Sequence, residues 1–216
     1  MKIEIKDYVK ELSGNTVLNH INLTFESGKI YGLSGKNGSG KTMLMRAICG
    51  LIRPTEGFVS IDGAVIGKDI SFPPSVGVLI ESPSFISYYS GFKNLQLLAS
   101  IKNIADDDTI RGLMTRLDLD PENRKRYKKY SMGMKQKIGI IAAVIEKPEL
   151  IILDEPINAL DEKSAQTLKE MLNEYKEEGA LIIISCHDRE ELEFLSDEIV
   201  YLADGKVKEN RTEDEE

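Results

Sequence analysis

Gly35-Lys36-Asn37-Gly38-Ser39-Gly40-Lys41-Thr42 is the segment that most restricts what this chain can become. It matches G-x-x-x-x-G-K-[ST] and stands between an apolar strand, Lys29 to Leu33, and a helical pattern from Lys41 to Cys49 that stops at Gly50. Gly35, Gly38 and Gly40 let the backbone curl and approach an anion closely. The loop amides and the helix N-terminus then face phosphate oxygens. Lys41 bridges the outer phosphates as a point charge, and the Thr42 hydroxyl is a candidate ligand for Mg2+.

A second element completes a reaction. Leu150-Ile151-Ile152-Leu153-Asp154-Glu155 is an apolar strand that ends in two carboxylates. A buried parallel strand delivers its last residues to the carboxyl edge of the sheet, where phosphate-loop ligands also lie. Asp154 is the candidate to hold Mg2+ there, and Glu155 the candidate general base for an attacking water. An ammonium at the phosphates, a divalent cation and a water-activating acid together specify hydrolysis of a nucleoside triphosphate.

The rest of the chain is read from period and breakers. Ile3 and Ile5, then Ile21, Leu23 and Phe25, alternate with polar residues as half-buried strands do. Phe58 to Ile61 reads as a short strand on a hairpin edge, turning at Asp62-Gly63, and Ser75 to Ile80 as another strand. Asn94 to Ile101 and Thr109 to Leu117 are predicted helices, the second capped by Asp106 to Asp108, and a long helix follows Ser131 to about Glu146. Asp161 to Glu178 is an amphipathic helix, Ala180 to Ser185 a buried strand, Arg189 to Leu195 a short helix, and Glu198 to Lys208 a hairpin turning at Asp204-Gly205. Apolar strands alternating with helices predict a parallel sheet covered on both faces, with an antiparallel layer from the N-terminal strands beside it.

Composition removes several classes. The 216 residues carry 28 Lys and Arg against 36 Asp and Glu, a net charge of −8, which argues against a direct nucleic-acid partner. Two cysteines, Cys49 and Cys186, make no disulfide framework and fit a reducing compartment. The start is not of signal-peptide character, and runs such as Ile138 to Ile145 are too short to cross a bilayer.

With these residues in place the chain resembles the ATP-binding cassette (ABC) ATPases. Four further stretches carry the likeness in the family's order. Tyr130-Ser131-Met132-Gly133-Met134-Lys135-Gln136 is similar to the L-S-G-G-Q signature, matching at Ser131 and Gly133 and departing at Tyr130, Met132 and Met134. Asn158-Ala159-Leu160-Asp161 resembles the D-loop, and Ser185-Cys186-His187 the H-loop, with His187 in the place of the histidine that contacts the γ-phosphate. Glu81 stands where the family usually has the Q-loop glutamine. Taken alone, Ser131 reads equally as a helix cap, His187 as a polar strand end and 158–161 as a plain loop.

The resemblance implies one cassette over 1–216: a P-loop NTPase (RecA-like) α/β core from about 1–85 and 147–216, with an antiparallel β subdomain, and a helical subdomain from about 86–146. It implies ATP and Mg2+, with Thr42, Asp154 and Glu81 near the metal, Glu155, His187 and Glu81 in catalysis, and residues 35–43 on the nucleotide. It also implies that the signature of one chain covers the phosphates held by another, so two cassettes, identical or not, must close face to face. The partner it implies is a separate membrane permease, which places the chain in the cytoplasm, peripheral on the plasma membrane.

The departures narrow the branch. Val78-Leu79-Ile80-Glu81-Ser82-Pro83 and the Tyr-Ser-x-Gly-Met-Lys-Gln form are similar to cassettes of bacitracin and lantibiotic-type drug exporters. The expected function is therefore export of a peptide, antibiotic or other small molecule; the alternative is a soluble cassette ATPase acting on ribosomes or DNA. A kinase or GTPase lacks support, since no N-K-x-D motif is present. The family's adenine-stacking aromatic falls near Leu12, which offers apolar contact without stacking, and Met43 replaces a common threonine. Arg124 to Lys129 is a dense basic run, either solvated or facing anionic headgroups or an acidic helix. Phe85, Tyr88, Tyr89 and Phe92 are either anchors for a membrane subunit or core of the helical part. The tail Glu213 to Glu216 is expected to be disordered, and no accessory C-terminal domain is expected after the last hairpin.

Overall fold

The computed structural model describes residues 1–208, so the reading of Glu213 to Glu216 lies outside the described residues. In chain order the elements are β1 (Lys2–Leu12), β2 (Asn15–Glu26), β3 (Ile30–Ser34), α1 (Lys41–Ile48), β4 (Glu56–Ile61), β5 (Ala64–Val65) and β6 (Val76–Leu79). Then come α2 (Gly91–Lys102), α3 (Asp107–Arg116), α4 (Met132–Val144), β7 (Leu150–Asp154), α5 (Glu162–Glu177), β8 (Leu181–Ser185), α6 (Arg189–Leu195), β9 (Glu198–Ala203) and β10 (Lys206–Lys208).

β7 and β8 show why the sheet needs cover on both faces. Every residue of both strands is buried. Their side chains divide by parity, as strand geometry requires. Leu150, Ile152, Leu181 and Ile183 join a core shared with α1 and the N-terminal strands. Ile151, Leu153, Ile182 and Ile184 join the opposite core, built with α2 to α6. The six strands run in the order β10-β9-β3-β8-β7-β6. All neighbouring pairs are parallel except the closing β9–β10 hairpin. A parallel register sends the C-terminal ends of β3, β6, β7 and β8 to one edge, and Asp154 sits directly beside Ser185 there.

The second sheet is antiparallel, in the order β2-β1-β4-β5. Phe58 to Ile61 thus lies inside it, paired with β1, and the short β5 takes the edge. Strict alternation from Ile3 and Ile5 would turn Asp7 inward. A register shift with Asp7 at φ 46° moves Tyr8 inward instead, where it is 1% exposed. On β2, His20 has φ 51° and its Nδ1 meets Asp7 Oδ1 at 2.6 Å, so the irregular positions of the two strands face each other.

Segment 86–146 carries α2, α3 and α4 and one 3-10 turn at Tyr127–Lys129. Asp106 caps α3 through Thr109 N at 2.8 Å, as its position before the apolar pattern predicts. α4 ends at Val144, two residues earlier than the pattern suggests. It lies very close to β6. A Cβ on Gly77 would overlap the Ala143 carbonyl, and one on Gly139 would meet Leu79 and Pro83 at 2.9 Å. Phe85 and Phe92 pack against the core, while Tyr88 and Tyr89 stay exposed.

Candidate active site

The loop that follows β3 keeps its curl with its own atoms. Gly40 is the N-terminal boundary of α1 at φ 108°, a conformation L side chains rarely adopt, and a Cβ there would press on Leu18 and the Val17 carbonyl at 3.0 and 3.1 Å. Ser39 N donates to Lys36 O at 3.0 Å. The Lys41 ammonium donates to the carbonyls of Gly35 and Lys36, so it closes across the loop. The β9–β10 turn braces the loop from outside: Gly205 N donates to Ser39 O, and Asn19 N to Gly205 O. Lys36, Asn37 and Gly38 are exposed at the rim.

Beside the loop, the sheet edge assembles the acids. Thr42 Oγ1 donates to Asp154 Oδ2 at 2.8 Å, and Ser185 Oγ donates to Asp154 Oδ1 at 2.5 Å. Asp154 is thus held at both oxygens by hydroxyls from α1 and β8, and it is buried. Glu155 follows at φ 51°, with its N–H donating to Ser185 O and Oγ. This left-handed turn swings the Glu155 carboxylate away from the strand toward His187, whose Nε2 lies 2.5 Å from Oε1. Cys186, between Ser185 and His187, is buried, and burial pushes its thiol up to about 12. It packs the core rather than serving as a thiolate.

Glu81 reaches the same place from β6. It has φ 59°, and its Oε1 accepts from Arg46 Nη2 at 2.6 Å. Arg46 lies four residues after Thr42, so both side chains share one face of α1. Thr42, Glu81, Asp154 and Glu155 line a cleft of about 300 Å3. Met132, Gln136, Asn158 and Ala159 form its other side, so the stretch after Ser131 and the loop after β7 border the acids.

Those last residues are joined within the chain. Gln136 Nε2 donates to the carbonyls of Glu155 and Pro156 at 2.9 and 3.1 Å. A Cβ on Gly133 would meet Ala159 O at 2.6 Å, and Lys137 Nζ lies 3.5 Å from Asp161 Oδ2. Gly133, Gln136 and Lys137 are spaced to share a helix face, and that face is bound to the loop 155–161. Ala159 has φ 64°, and Asp161 caps α5 through Ser164 N at 2.8 Å.

Other candidates fall elsewhere. Ser131 accepts from Met134 N at 3.2 Å, capping its own helix, and is not among the lining residues of the cleft. Leu12 ends β1 opposite Asn15, 42% exposed at the hairpin tip. Met43, Met134 and Leu160 are partly buried against the core. Sequence reasoning did not assign Arg46 or Lys137 to the site, and took Ser185 and Gln136 only as members of the H-loop and signature stretches, without a role of their own. The spacing Thr42-x-x-x-Arg46 carries a signal for one of them, while the others depend on contacts across the sheet edge.

Hard oxygen donors on a hydroxyl and a carboxylate, beside a glycine-rich loop and the Lys41 ammonium, suit a nucleotide with Mg2+. No three His, Cys, Asp or Glu side chains form a metal cage among the described residues. Mg2+ needs none, since it is commonly held by one or two carboxylates with phosphate oxygens and water.

Fold and site together define a phosphate-loop nucleotide-binding protein, with a parallel sheet, an antiparallel layer and a helical segment reaching back to the cleft. The family model described as ABC transporter matches residues 18–158, and the chain belongs to this family as an ATP-hydrolysing ABC transporter subunit. It is 45% identical over 206 residues to the uncharacterized ABC transporter ATP-binding protein YybJ of Bacillus subtilis strain 168, covering 95% of this chain and 94% of the relative. To the bacitracin transport ATP-binding protein BcrA of Enterococcus faecalis it is 39% identical, covering 96% of this chain and 68% of that one. A solved structure described as the ATP binding subunit of an ABC transporter superposes with a TM-score of 0.87 at 29% identity, covering 99% of this chain and 91% of that one. Among the described residues no helix is long and apolar enough to cross a membrane.

Proposed function

We propose that the chain powers export of a peptide antibiotic or similar small molecule through a separate permease, working as one of two face-to-face cassettes on the cytoplasmic side of the membrane. The observation that carries the reading is the convergence of Thr42, Asp154, Glu155 and Glu81 on one cleft beside the phosphate loop. The likeness to a bacitracin transport subunit supports the cargo class.

In this reading the amides of residues 35–42 and the Lys41 ammonium hold the triphosphate, and Leu12 and Met43 lie toward the base. Thr42 and Asp154 are the residues that would hold Mg2+, with Glu81 beside them; the ion, when bound, would supply charge neutralisation for the phosphates. Glu155 orients a water for in-line attack on the γ-phosphorus and takes its proton as the bond to the β,γ-bridging oxygen breaks. The products are ADP and inorganic phosphate. His187 holds Glu155 at 2.5 Å and also stands ready for the γ-phosphate. Ser131 to Met134 complete the site of the other cassette, which agrees with Ser131 lying off its own cleft, and residues 158–161 line the seam between the two.

Replacing Glu155 by Gln tests the assignment. The variant is expected to bind ATP as the parent does while kcat falls by about 10^2 to 10^4-fold, the usual contribution of a positioned base. Near-parental turnover would remove Glu155 from that role.

A further inference from the structure

A second cavity opens at the end of α1 remote from the phosphate loop, where Gly50 follows the helix. It encloses about 480 Å3, inside the roughly 300–1,000 Å3 range of small-molecule sites, and shares no lining residue with the catalytic cleft. Its floor is apolar and closed: Tyr8, Ala47 and Val59 are each buried.

The walls are fixed by backbone contacts. Gly50 has φ 73°, and a Cβ there would meet Ser71 O at 2.7 Å, so the chain after α1 and the chain after β5 close on each other. Ile66 N donates to Val59 O at 2.9 Å and Gly67 N to Ile70 O at 2.7 Å, which ties one wall to β4 and to itself. Opposite, Thr55 N donates to Val9 O at 2.8 Å and holds segment 52–55 against β1. Phe72 lines the opening, 58% exposed.

The charge of the lining sets this cavity apart. The chain carries 36 Asp and Glu against 28 Lys and Arg, and three other cavities each have two or more carboxylates in their walls. Here the charged lining residues are Arg53 and Lys68, both exposed at the rim, with no acid among the lining residues. Neither is ion-paired among the described residues. Asp69 beside Lys68 is engaged elsewhere, its Oδ2 accepting from Val65 N at 2.9 Å. Tyr8 adds no negative charge, since burial pushes its hydroxyl up to about 12.

An exposed cation is ordinary by itself. Two on one rim, over an apolar floor and without an opposing carboxylate, are complementary to a molecule that is anionic at one end and apolar at the other. We propose that this cavity binds a small amphipathic organic anion, its apolar or aromatic body against Phe72 and the buried floor and its carboxylate, sulfonate or phosphate toward Arg53 and Lys68. A bare inorganic anion would leave the floor wet, and a neutral apolar molecule would leave the cations unused. The site stands apart from the cleft, so the proposal is independent of the catalytic reading.

The test is fluorescence titration of the purified chain with anilinonaphthalene sulfonate, an aromatic anion, and with phenylnaphthylamine, the same rings without the sulfonate. One saturable site is expected for the sulfonate. The neutral probe should bind about 25-fold more weakly, the product of two exposed charge contacts of about fivefold each. Arg53→Gln and Lys68→Gln should each cost the sulfonate about fivefold and leave the neutral probe unchanged. Val65→Phe, which fills the cavity, should weaken both probes, and excess ATP with Mg2+ should displace neither. Equal affinity for the two probes, parental sulfonate affinity in the chain carrying both rim substitutions, or competition by ATP, which would place the probe in the cleft, overturns the proposal. If Val65→Phe does not fold, the rim variants still decide, because both lie at exposed positions.

Discussion

Arg46 carries a guanidinium that a neutral side chain at position 81 would not require. With Glu81, Asp154 and Glu155 the cleft gathers three carboxylates where a polyanion must enter, and Arg46 is the cation nearest Glu81, at 2.6 Å. The pair is partly solvated, so its worth is about 1 kcal/mol or less. Arg46→Met is therefore expected to raise the KM for ATP with Mg2+ by about fivefold, and adding Glu81→Gln to the same chain should bring it back. Steady-state kinetics of the two single variants and the double variant decide this. Independent, additive effects would mean that Arg46 does not balance Glu81. The sequence shows the glutamate as a departure from family pattern, but its partner is visible only once α1 is packed against β6.

At the scale of elements, most of the fold was legible because it is written locally. Period-2 and continuous apolar runs gave the strands, the cap at Asp106 gave a helix start, and Gly-containing turns gave the ends. The features that escaped are set by neighbours. The bulge at Asp7 exists because Tyr8 rather than Asp7 must enter the core, and nothing in Lys6-Asp7-Tyr8 states the register of β2 opposite. Likewise Gly77 reads as an ordinary strand residue. Its function is to let α4 approach β6 so closely that the Ala143 carbonyl occupies the place of a side chain. Gly77→Ala is expected to cost about 2 kcal/mol through overpacking. In a chain of this size that corresponds to a fall in Tm of about 4–8 °C, readable by calorimetry. An unchanged Tm would show that α4 shifts freely.

The cap of α5 carries a pH dependence. The Ser164 backbone N–H holds the Asp161 carboxyl below its ordinary value. A depressed folded-state pKa contributes stability above the unfolded value of about 3.9 and loses it as pH falls through the folded value. Asp161→Asn should thus flatten the stability profile below about pH 4 and leave its slope near neutrality unchanged. Denaturant titrations at several pH values measure it; identical acid slopes would remove the cap from the account.

For the whole molecule, the proposed face-to-face pairing is the property to test. Ser131 accepts from Met134 N within its own helix start and is not among the residues lining the cleft of its own chain. Specific ATPase activity is expected to fall on dilution through the association constant of the pair, and to return when the same sample is concentrated again. Activity that stays flat far below any association seen by sedimentation would mean that one chain suffices. The proposed dependence comes only from the family likeness, because no residue pattern within one chain records what lies across a seam.

Gln136 ties the helix behind Ser131 to the peptide that follows Glu155. In the proposed pair, the part of each chain that would roof its neighbour is thereby harnessed to its own hydrolytic centre. A chain that has spent its nucleotide would slacken the roof over the other one, so the two halves would not need to fire together.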